Sequence, residues 1–244
     1  MRKIITYPSV DSTNAAAKKL ALAGEGECAV AAAEQTAGRG RLARSWQSPA
    51  GEGLWVSLLL RPRNIPAQCA GGAVFVAALA MAEALCAYGP AKIKWPNDLL
   101  LNGKKVVGIL CEGAPDGHSV LSGIGINLAQ DQAYFDAAGL PHGTSLALQG
   151  VKVDLEVDPE WLAQYMTDFG FDRELYTYEV EGFAPYRERY KARCVNLGRR
   201  VTYDGGAGTA VDVDEEGRLI VEGENGETRV FTGEVSVQGI YGAV

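Results

Sequence analysis

The chain has 244 residues, of which 47% are hydrophobic and 22% are charged, and its formal net charge is −7. This length suits one large domain, or a large domain with a small one, in an ordinary soluble globular protein. The acidic balance argues against a broad nucleic-acid-binding surface, because such surfaces neutralise phosphates with lysine and arginine.

The sequence also argues against secretion, membrane insertion and metal clusters. No apolar core of a signal peptide occurs in the first ten residues, and the longest apolar run, Cys69–Ala82, is too short to span a bilayer. The five cysteines are odd in number and have no CxxC spacing, which argues against disulfides and metal ligation. Both histidines, His118 and His142, are expected at the surface. Because the sequence shows neither a signal peptide nor a disulfide pattern, we expect a cytoplasmic protein.

The first predicted elements are a short strand, Ile4–Tyr7, and a helix over Ala15–Ala23 that ends at Gly24. The segment Asp11-Ser12-Thr13-Asn14 precedes this helix and is rich in residues that cap helices. One interpretation is that Ser12 or Thr13 only caps the helix. The other is that these polar groups at a helix N-terminus recognise a polar ligand.

A second apolar strand, Cys28–Ala33, leads through Gln35 into a loop rich in glycine and arginine. This arginine loop spans Gly38–Trp46 and carries Arg39, Arg41 and Arg44. Guanidinium groups match phosphate and carboxylate oxygens, and glycine lets the backbone approach a ligand closely. The loop is therefore either a solvated surface loop or a site for a polyanion.

The next segments predict a buried sheet and helix followed by a hairpin. Leu54–Leu60 is apolar throughout and is expected to be a central strand, and the apolar helix from Pro66 to about Tyr88 should pack against the sheet. Asn102-Gly103 between apolar runs predicts a tight hairpin. Alternation in the second strand of the hairpin puts Lys105 with Val107 and Ile109 on one face and Lys104 on the other, so one lysine faces inward.

Another apolar strand, Val120–Leu128, has glycine at Gly123 and Gly125. Glycine inside a strand indicates close approach either of a ligand or of a packed helix, and both alternatives stay open. Helices are then predicted over Pro159–Phe169 and Gly182–Arg193.

From about Leu197 the pattern changes to short alternating strands separated by glycine-containing turns. We predict a small β-barrel of roughly fifty residues packed on the first domain. The predicted strands are Arg200–Tyr203, Thr209–Val213, Leu219–Val221 and Arg229–Phe231.

A set of motifs, in a fixed order along the chain, resembles the biotin–protein ligases. The motifs are Asp11-Ser12-Thr13-Asn14, the segment Glu34–Arg41, Trp46 with Ser48-Pro49, Lys94-Trp95-Pro96-Asn97-Asp98, Gly103–Leu110, Gly125-Ile126-Asn127, Thr144-Ser145-Leu146, Gly182–Pro185 and Gly233–Ser236. The resemblance implies an α/β catalytic domain with a mixed sheet, similar to the core of class II aminoacyl-tRNA synthetases. A small SH3-like β-barrel should follow it, so we expect domains at residues 1–194 and 195–244.

The resemblance implies a reaction in two steps. The carboxylate of biotin attacks the α-phosphate of MgATP and forms biotinyl-5′-adenylate, and a lysine of a biotin carboxyl carrier protein then takes the biotin. Negative charge gathers on phosphate and carbonyl oxygens in these steps. This explains a site rich in arginine and lysine. ATP, Mg²⁺ and biotin are the implied ligands, and no DNA is expected as a partner.

The resemblance also assigns roles to individual residues. Lys105, Arg39, Arg41 and Asp98 are the implied catalytic residues; Lys105 thus becomes the inward lysine, and Asp98 positions the amine or helps hold magnesium. The implied binding residues are Ser12, Thr13, Asn14, Gln35, Gly38, Arg39, Gly40, Arg41, Arg44, Trp46, Lys105, Gly108, Gly123, Gly125 and Asn127.

Two features depart from the family pattern. Ala43 stands where glycine is common, which bears on how fast the arginine loop closes, and Asp168–Glu181 matches nothing in the family. The motifs begin within twelve residues of Met1, so we expect a ligase without the helix-turn-helix domain and repressor function of some members. A homodimer is one alternative for the oligomeric state, which the sequence leaves open.

Three other functions compete with this one. A lipoate–protein ligase or octanoyltransferase has a related fold but lacks the arginine loop together with Lys94–Asp98. A non-catalytic biotin or nucleotide sensor should have lost Lys105 or the loop arginines, which are all present. A purely structural domain leaves the ordered motifs unexplained.

Overall fold

The computed structural model of the chain describes residues 3–62, 71–153, 172–231 and 233–240. Its first sheet has seven strands in the order β1-β2-β3-β7-β6-β5-β4. Strands β1 and β2 are parallel and the other neighbours are antiparallel, so the sheet is mixed, as expected. The strands are Lys3–Tyr7 (β1), Cys28–Ala32 (β2), Gly53–Leu60 (β3), Lys92–Lys94 (β4), Asp98–Leu101 (β5), Lys104–Gly113 (β6) and Val120–Asn127 (β7).

Two helices cover opposite faces of this sheet. Successive residues of a strand point to opposite sides, so neighbouring side chains of β2 pack with different helices. Cys28 and Val30 of β2 pack in the cluster that contains helix α1, Thr13–Leu22. Ala29 and Ala31 pack in the larger cluster that contains helix α2, Ala73–Leu85. Both helices were predicted, although the expected start of the second at Pro66 lies outside the described residues.

The remaining helices differ more from the predictions. They are Gln132–Ala137 (α3), Asp172–Glu181 (α4) and Arg187–Lys191 (α5), with single 3₁₀ turns at Arg41–Ala43, Ala147–Gln149 and Ala184–Tyr186. The single helix predicted over Gly182–Arg193 is wrong, since that segment holds a 3₁₀ turn and then α5. Helix α4 was not predicted, and the helix predicted at Pro159–Phe169 lies outside the described residues.

A β-bulge in β6 overturns one prediction about its faces. Leu99 of β5 pairs with Val107, but Leu100 pairs with Lys105, so Val106 is an extra residue in the strand. A bulge of one residue shifts the side-chain alternation. Lys105 therefore lies on the face of Gly108, where a methyl group in place of the glycine hydrogen would be 3.3 Å from the lysine Cε. Placing Lys105 with Val107 and Ile109 was wrong.

A second, antiparallel sheet forms the C-terminal part, in the order β11-β10-β9-β8-β12. Its apolar side chains belong to the same core as the first sheet, and the Trp95 indole N–H donates to the Gly217 carbonyl at 2.9 Å. The predicted packing between the two parts is therefore confirmed. The last strand was not predicted. The strands are Arg200–Tyr203 (β8), Gly206–Val213 (β9), Leu219–Gly223 (β10), Gly226–Val230 (β11) and Val235–Val237 (β12).

Candidate active site

A cavity of about 610 Å³ opens over strands β6 and β7, a volume that suits a small-molecule ligand. The first turn of α1, the arginine loop, the segment Lys94–Asp98 and the start of the last strand surround it. These segments are far apart in the sequence and meet at one place. Of the residues implied by the resemblance, the cavity is lined by Ser12, Thr13, Asn14, Gln35, Arg39, Gly40, Arg41, Arg44, Trp46, Asp98, Lys105, Gly108, Gly123, Gly125 and Asn127.

Gly38 is the implied residue that does not line the cavity. A methyl group on Gly38 would lie 2.3 Å from the Trp46 carbonyl oxygen, and the Gly38 carbonyl accepts from the Trp46 N–H at 2.8 Å. The two sides of the arginine loop thus approach each other too closely at its base for any side chain at Gly38. The structure gives Gly38 a place in the loop and no contact with the cavity.

The first turn of α1 forms a polar wall of the cavity. Ser12 occupies the N-cap position, but its side chain makes no capping hydrogen bond. Instead, the Thr13 N–H and hydroxyl lie 2.8 and 3.0 Å from Gln35 Oε1, and Gln35 Nε2 donates to Ser48 Oγ at 2.7 Å. The polar groups of this turn therefore build a hydrogen-bonded wall, which favours the ligand interpretation over simple capping.

Behind this wall lies Ser57 of β3, a fully buried residue that the sequence analysis did not single out. Its hydroxyl lies 2.7 Å from Thr13 Oγ1 and 2.6 Å from Asn14 Oδ1. Asn14 reaches this position because Gly123 has no side chain: a methyl group there would be 2.4 Å from Asn14 Oδ1. A serine within an apolar strand was the sequence signal for this residue.

Two glycines form the floor of the cavity beneath Trp46. Methyl groups on Gly108 and Gly125 would each lie 2.6 Å from the Trp46 ring. The ring contacts Trp55 edge-to-face at a centroid distance of 6.5 Å. Its buried Nε1 has no hydrogen-bond partner among the described residues. Gly125 therefore makes room for a tryptophan side chain of the arginine loop, an approach that neither of the two stated alternatives described.

Lys105 and Asp98 form an ion pair in the cavity. Lys105 Nζ lies 2.7 Å from Asp98 Oδ1 and 5.1 Å from the centroid of the Trp46 ring. Lys104 does not line the cavity. Burial lowers the pKa of the neighbouring Lys94 ammonium, and the Asp98 carboxylate opposes this change. Two lysines and one carboxylate thus meet in this part of the cavity.

The arginine loop is a small hairpin closed by a hydrogen bond from the Gly40 N–H to the Arg44 carbonyl at 2.8 Å. At its tip, Leu42 and Ala43 have φ angles of 55° and 58°. Glycine adopts this left-handed conformation with little strain, whereas alanine pays about 1 kcal/mol or more for it. The backbone thus explains why glycine is common at the position of Ala43.

Each arginine of the loop contacts a different segment. Arg39 pairs with Glu112 of β6 at 3.4 Å. Arg41 donates to the Asn97 side chain and to the Gly233 carbonyl, both at 3.2 Å, and burial lowers the pKa of its guanidinium. Arg44 is ion-paired with Glu234. The C-terminal part of the chain therefore helps to hold the loop over the cavity.

One further wall comes from the segment 134–143, which the sequence analysis did not predict as part of the site. It runs beside the start of β6, where the Lys105 N–H donates to the His142 carbonyl at 2.8 Å. His142 is half-buried and lines the cavity, so the prediction of a surface residue was wrong, whereas His118 is exposed as expected. Asn127 donates to the Thr144 carbonyl at 3.0 Å and so fixes the turn after this segment.

The acidic residues of the cavity bear on whether it could hold a metal ion. Within the described ranges, no group of three or more His, Cys, Asp or Glu side chains has the arrangement of a metal site. Mg²⁺ is usually held by one or two carboxylates together with substrate phosphates. Asp98 could be one such carboxylate, with the other ligands supplied by a bound molecule that carries phosphates.

The cavity joins two different chemical surfaces. Its lining includes neutral hydrogen-bonding groups from α1 and its neighbours together with ammonium and guanidinium groups. Such a site suits an elongated ligand with a neutral polar head and an anionic tail.

In the part of the chain that the structure describes, no helix is both long and apolar enough to cross a membrane.

Comparison with known proteins identifies the family. The model of the biotin/lipoate A/B protein ligase family matches residues 7–129, and that of the biotin protein ligase C-terminal domain matches residues 197–237. A biotin–[acetyl-CoA-carboxylase] ligase of Paracoccus denitrificans is 40% identical, and the match covers 92% of this chain and 96% of that protein. The bifunctional ligase/repressor BirA of Bacillus subtilis is 34% identical, with 96% of this chain and 74% of that protein covered.

Solved structures agree with these sequence matches. The biotin protein ligase from Aquifex aeolicus in complex with biotin and ATP is 27% identical and superimposes with a TM-score of 0.79. That match covers 98% of this chain and 99% of the other. The chain therefore belongs to the biotin protein ligases, within the biotin/lipoate A/B protein ligase family.

Proposed function

We propose that this chain is an ATP-dependent ligase that activates biotin as biotinyl-5′-adenylate and transfers it to a lysine of a carrier protein. The observation that carries the proposal is the cavity itself, in which the neutral wall around Thr13 and the cationic end around Lys105 face one space. The ureido ring of biotin suits the neutral wall. Its carboxylate and the phosphates of ATP suit the cationic end.

The same geometry favours biotin over lipoate. Thr13, Asn14 and Gln35 line the cavity with hydrogen-bonding groups, and the buried Ser57 supports Thr13 and Asn14 from behind. The ureido group of biotin could add hydrogen bonds to this wall, whereas a ligand head without hydrogen-bonding groups, such as a dithiolane ring, could add none. A site built to hydrogen-bond its substrate rejects an analogue that lacks the bonding groups. Lipoate is therefore the disfavoured substrate.

In the first step, a carboxylate oxygen of biotin attacks the α-phosphorus of ATP and pyrophosphate leaves. The residues with positive charge near the reacting phosphate would be Lys105, Arg39 and Arg41. Their role is to stabilise charge on the phosphate oxygens and to hold the two anions together against their repulsion. Arg44, at the rim beside Glu234, would assist pyrophosphate binding.

In the second step, the amine of the carrier lysine attacks the carbonyl carbon of the adenylate, and AMP leaves. Asp98 would position this amine, or hold Mg²⁺ in the first step, since it is the carboxylate paired with Lys105 at 2.7 Å. Closing the arginine loop over the intermediate would keep water away from the mixed anhydride. The acceptor lysine would enter through the open end of the cavity.

The acceptor and the organisation of the chain are part of the proposal. We propose a biotin carboxyl carrier domain as the acceptor and the cytoplasm as the location. We also propose a boundary between a catalytic domain at residues 1–194 and an SH3-like barrel at residues 195–244. The matches to separate family models at residues 7–129 and 197–237 support such a division.

The proposal is tested by incubating the protein with biotin, MgATP and a biotin carrier domain, followed by intact-mass spectrometry of the carrier. We expect one biotin per carrier lysine. Failure to biotinylate, under conditions in which the Aquifex aeolicus ligase succeeds, would overturn the proposal. Modification by lipoate would favour the related ligases, and biotin binding without transfer would favour a sensor. Sedimentation with and without ligands distinguishes a monomer from a homodimer.

A further inference from the structure

The proposed first step uses Lys105 and the loop arginines, and Lys94 is a further cation that lines the same cavity. Lys94 is the last residue of β4, where its Cα lies opposite that of Asp98 in the antiparallel pair with β5. Side chains that lie directly opposite each other in such a pair point to the same face of the sheet and are close neighbours. Asp98 also forms the ion pair with Lys105 at 2.7 Å. One carboxylate is therefore shared by two lysines.

Buried contacts on both sides of Lys94 hold its backbone in place. Ile93 is fully buried, and its N–H donates to the Arg193 carbonyl at 2.9 Å. Trp95 is buried as well, and its backbone N–H donates to the buried Asn196 Oδ1 at 2.8 Å. The backbone that carries this charge is therefore fixed before a ligand arrives, and charges held on rigid elements stabilise a transition state best.

The charged groups around Lys94 come from four other segments. They are Asp98 of β5, Lys105 of β6, Arg41 of the arginine loop and Glu234, which precedes β12. Glu234 is itself paired with Arg44. The group thus holds four cations and two carboxylates, so positive charge exceeds negative charge by two. Excess positive charge is costly in a partly buried site, and a bound polyanion removes that cost.

The position of Lys94 among these groups selects the part of ATP that it meets. In the proposed first step, Lys105 serves the α-phosphate, and Arg44 serves the pyrophosphate. Lys94 faces Asp98, which is paired with Lys105. It also faces Glu234, which is paired with Arg44. Lys94 is therefore placed at the bond that joins the α-phosphate to the pyrophosphate part of ATP.

We propose that Lys94 is a further catalytic residue of the first step, whose ammonium binds the pyrophosphate part of ATP and stabilises its growing negative charge. This inference rests on the proposed function. In that step, a carboxylate oxygen of biotin forms a bond to the α-phosphorus. The bond from this phosphorus to the bridging oxygen breaks, and its electron pair stays on the departing pyrophosphate. No proton needs to move, so a fixed cation beside the bridging oxygen speeds the departure.

The test compares Lys94→Met with Lys92→Met by calorimetric titration with pyrophosphate at a fixed concentration of Mg²⁺. Lys92 is a matched control, because it lies on the same strand but is exposed and does not line the cavity. Both changes remove one positive charge, so only a local contact distinguishes them. For Lys94→Met, we expect the Kd for pyrophosphate to rise about tenfold or more, the effect of one charged hydrogen bond. For Lys92→Met, it should stay within about twofold, since solvent and salt screen exposed charges.

The two chemical steps provide a second readout, since pyrophosphate takes part only in the first. In single turnovers, Lys94→Met should slow adenylate formation from biotin and MgATP about 10²-fold or more. The slowing of biotin transfer from added biotinyl-5′-adenylate to the carrier should be at least about tenfold smaller. A merely structural role would slow both steps alike. Melting temperatures check folding, and Lys94→Gln, which also removes the charge, takes the place of Lys94→Met if that variant does not fold.

Any of three results would overturn the inference. These are a pyrophosphate Kd of Lys94→Met within about twofold of wild type, an equal rise in Lys92→Met, and equal slowing of both steps. Absence of pyrophosphate binding to wild type would do the same. If wild type binds pyrophosphate but forms no adenylate from biotin, the proposed function fails. Comparison of the Kd values then still decides whether Lys94 holds the pyrophosphate.

Discussion

Replacing Lys105 by methionine should nearly abolish adenylate formation, whereas the same change at Lys104 should leave it almost intact. The two lysines are neighbours of the same type, and both are half-buried. Only the Lys105 ammonium reaches the cavity, because the bulge at Val106 turns it toward Gly108. Methionine keeps most of the aliphatic stem that covers Trp46 and removes only the charge.

The structure sets the size of the two effects. A charge that stabilises a transition state in a site of this kind contributes about 3–4 kcal/mol, so the rate of adenylate formation should fall about 10²–10³-fold. The cost to stability is smaller, because Asp98 keeps Lys94 and Arg41 as neighbouring cations after the Lys105 charge is removed. Ion pairs with solvent access contribute about 1 kcal/mol, which corresponds to a loss of about 2–4 °C in melting temperature.

The assay is single-turnover release of pyrophosphate from MgATP in the presence of biotin, together with thermal unfolding of each variant. A large loss of rate with a small loss of melting temperature would support the charge-stabilising role. Equal rates for Lys105→Met and Lys104→Met would refute the assignment of the inward lysine. A rate for Lys105→Met within about threefold of wild type would refute the electrostatic argument itself.

Three further predictions concern the loop, the floor and a turn. Arg41→Ala should release the adenylate about tenfold faster with little effect on melting temperature, because it removes two hydrogen bonds that hold the loop; release is followed by filter binding. Gly125→Ala should raise the KM for ATP about tenfold or more, since its methyl group would displace the Trp46 ring, whereas Gly26→Ala, which meets nothing within 4 Å, should not. Asp116→Asn should make the melting temperature less dependent on acid pH. Burial would raise the pKa of Asp116, but hydrogen bonds from Ser119 and His118 outweigh this effect and lower the pKa to about 2.

The sign of the acid effect follows from that lowered pKa. The unfolded value is near 3.8, so the stabilisation by Asp116 is present above this pH and disappears as the pH falls toward about 2. Melting temperatures of wild type should therefore fall more steeply than those of Asp116→Asn across this range. Parallel curves would contradict the prediction. The loop prediction would be wrong if Arg41→Ala retained the adenylate as long as wild type does. The floor prediction would be wrong if Gly125→Ala left the KM for ATP unchanged.

Much of the fold follows from local sequence signals. The hairpin at Asn102-Gly103 formed as predicted, with φ angles of 49° and 76°, because these two residues tolerate the left-handed conformation. The apolar run Leu54–Leu60 became the buried part of an interior strand that spans Gly53–Leu60. In both cases, the conformational preference or the burial requirement belongs to neighbouring residues, so it can be read directly from their order.

Other local predictions failed where tertiary packing overrode them. The prediction of the side-chain alternation in β6 was wrong because no residue pattern in Lys104–Leu110 predicts the bulge at Val106. The bulge arises from the pairing of β6 with β5. His142 was predicted at the surface because its turn-like neighbours carry no signal for the cavity wall that it forms part of. These features depend on partners that lie elsewhere in the chain.

The sequence by itself determined the order of the motifs, and with it the family and most of the residues around the cavity. Only the tertiary structure decided how those residues act on one another. Arg44 meets Glu234 across 190 positions, and Asn14 meets Glu112 across 98. Local preferences cannot specify such pairs, because packing of the two sheets and α1 brings them together. The contacts of Ser57 with Thr13 and Asn14 exist only once that packing is complete.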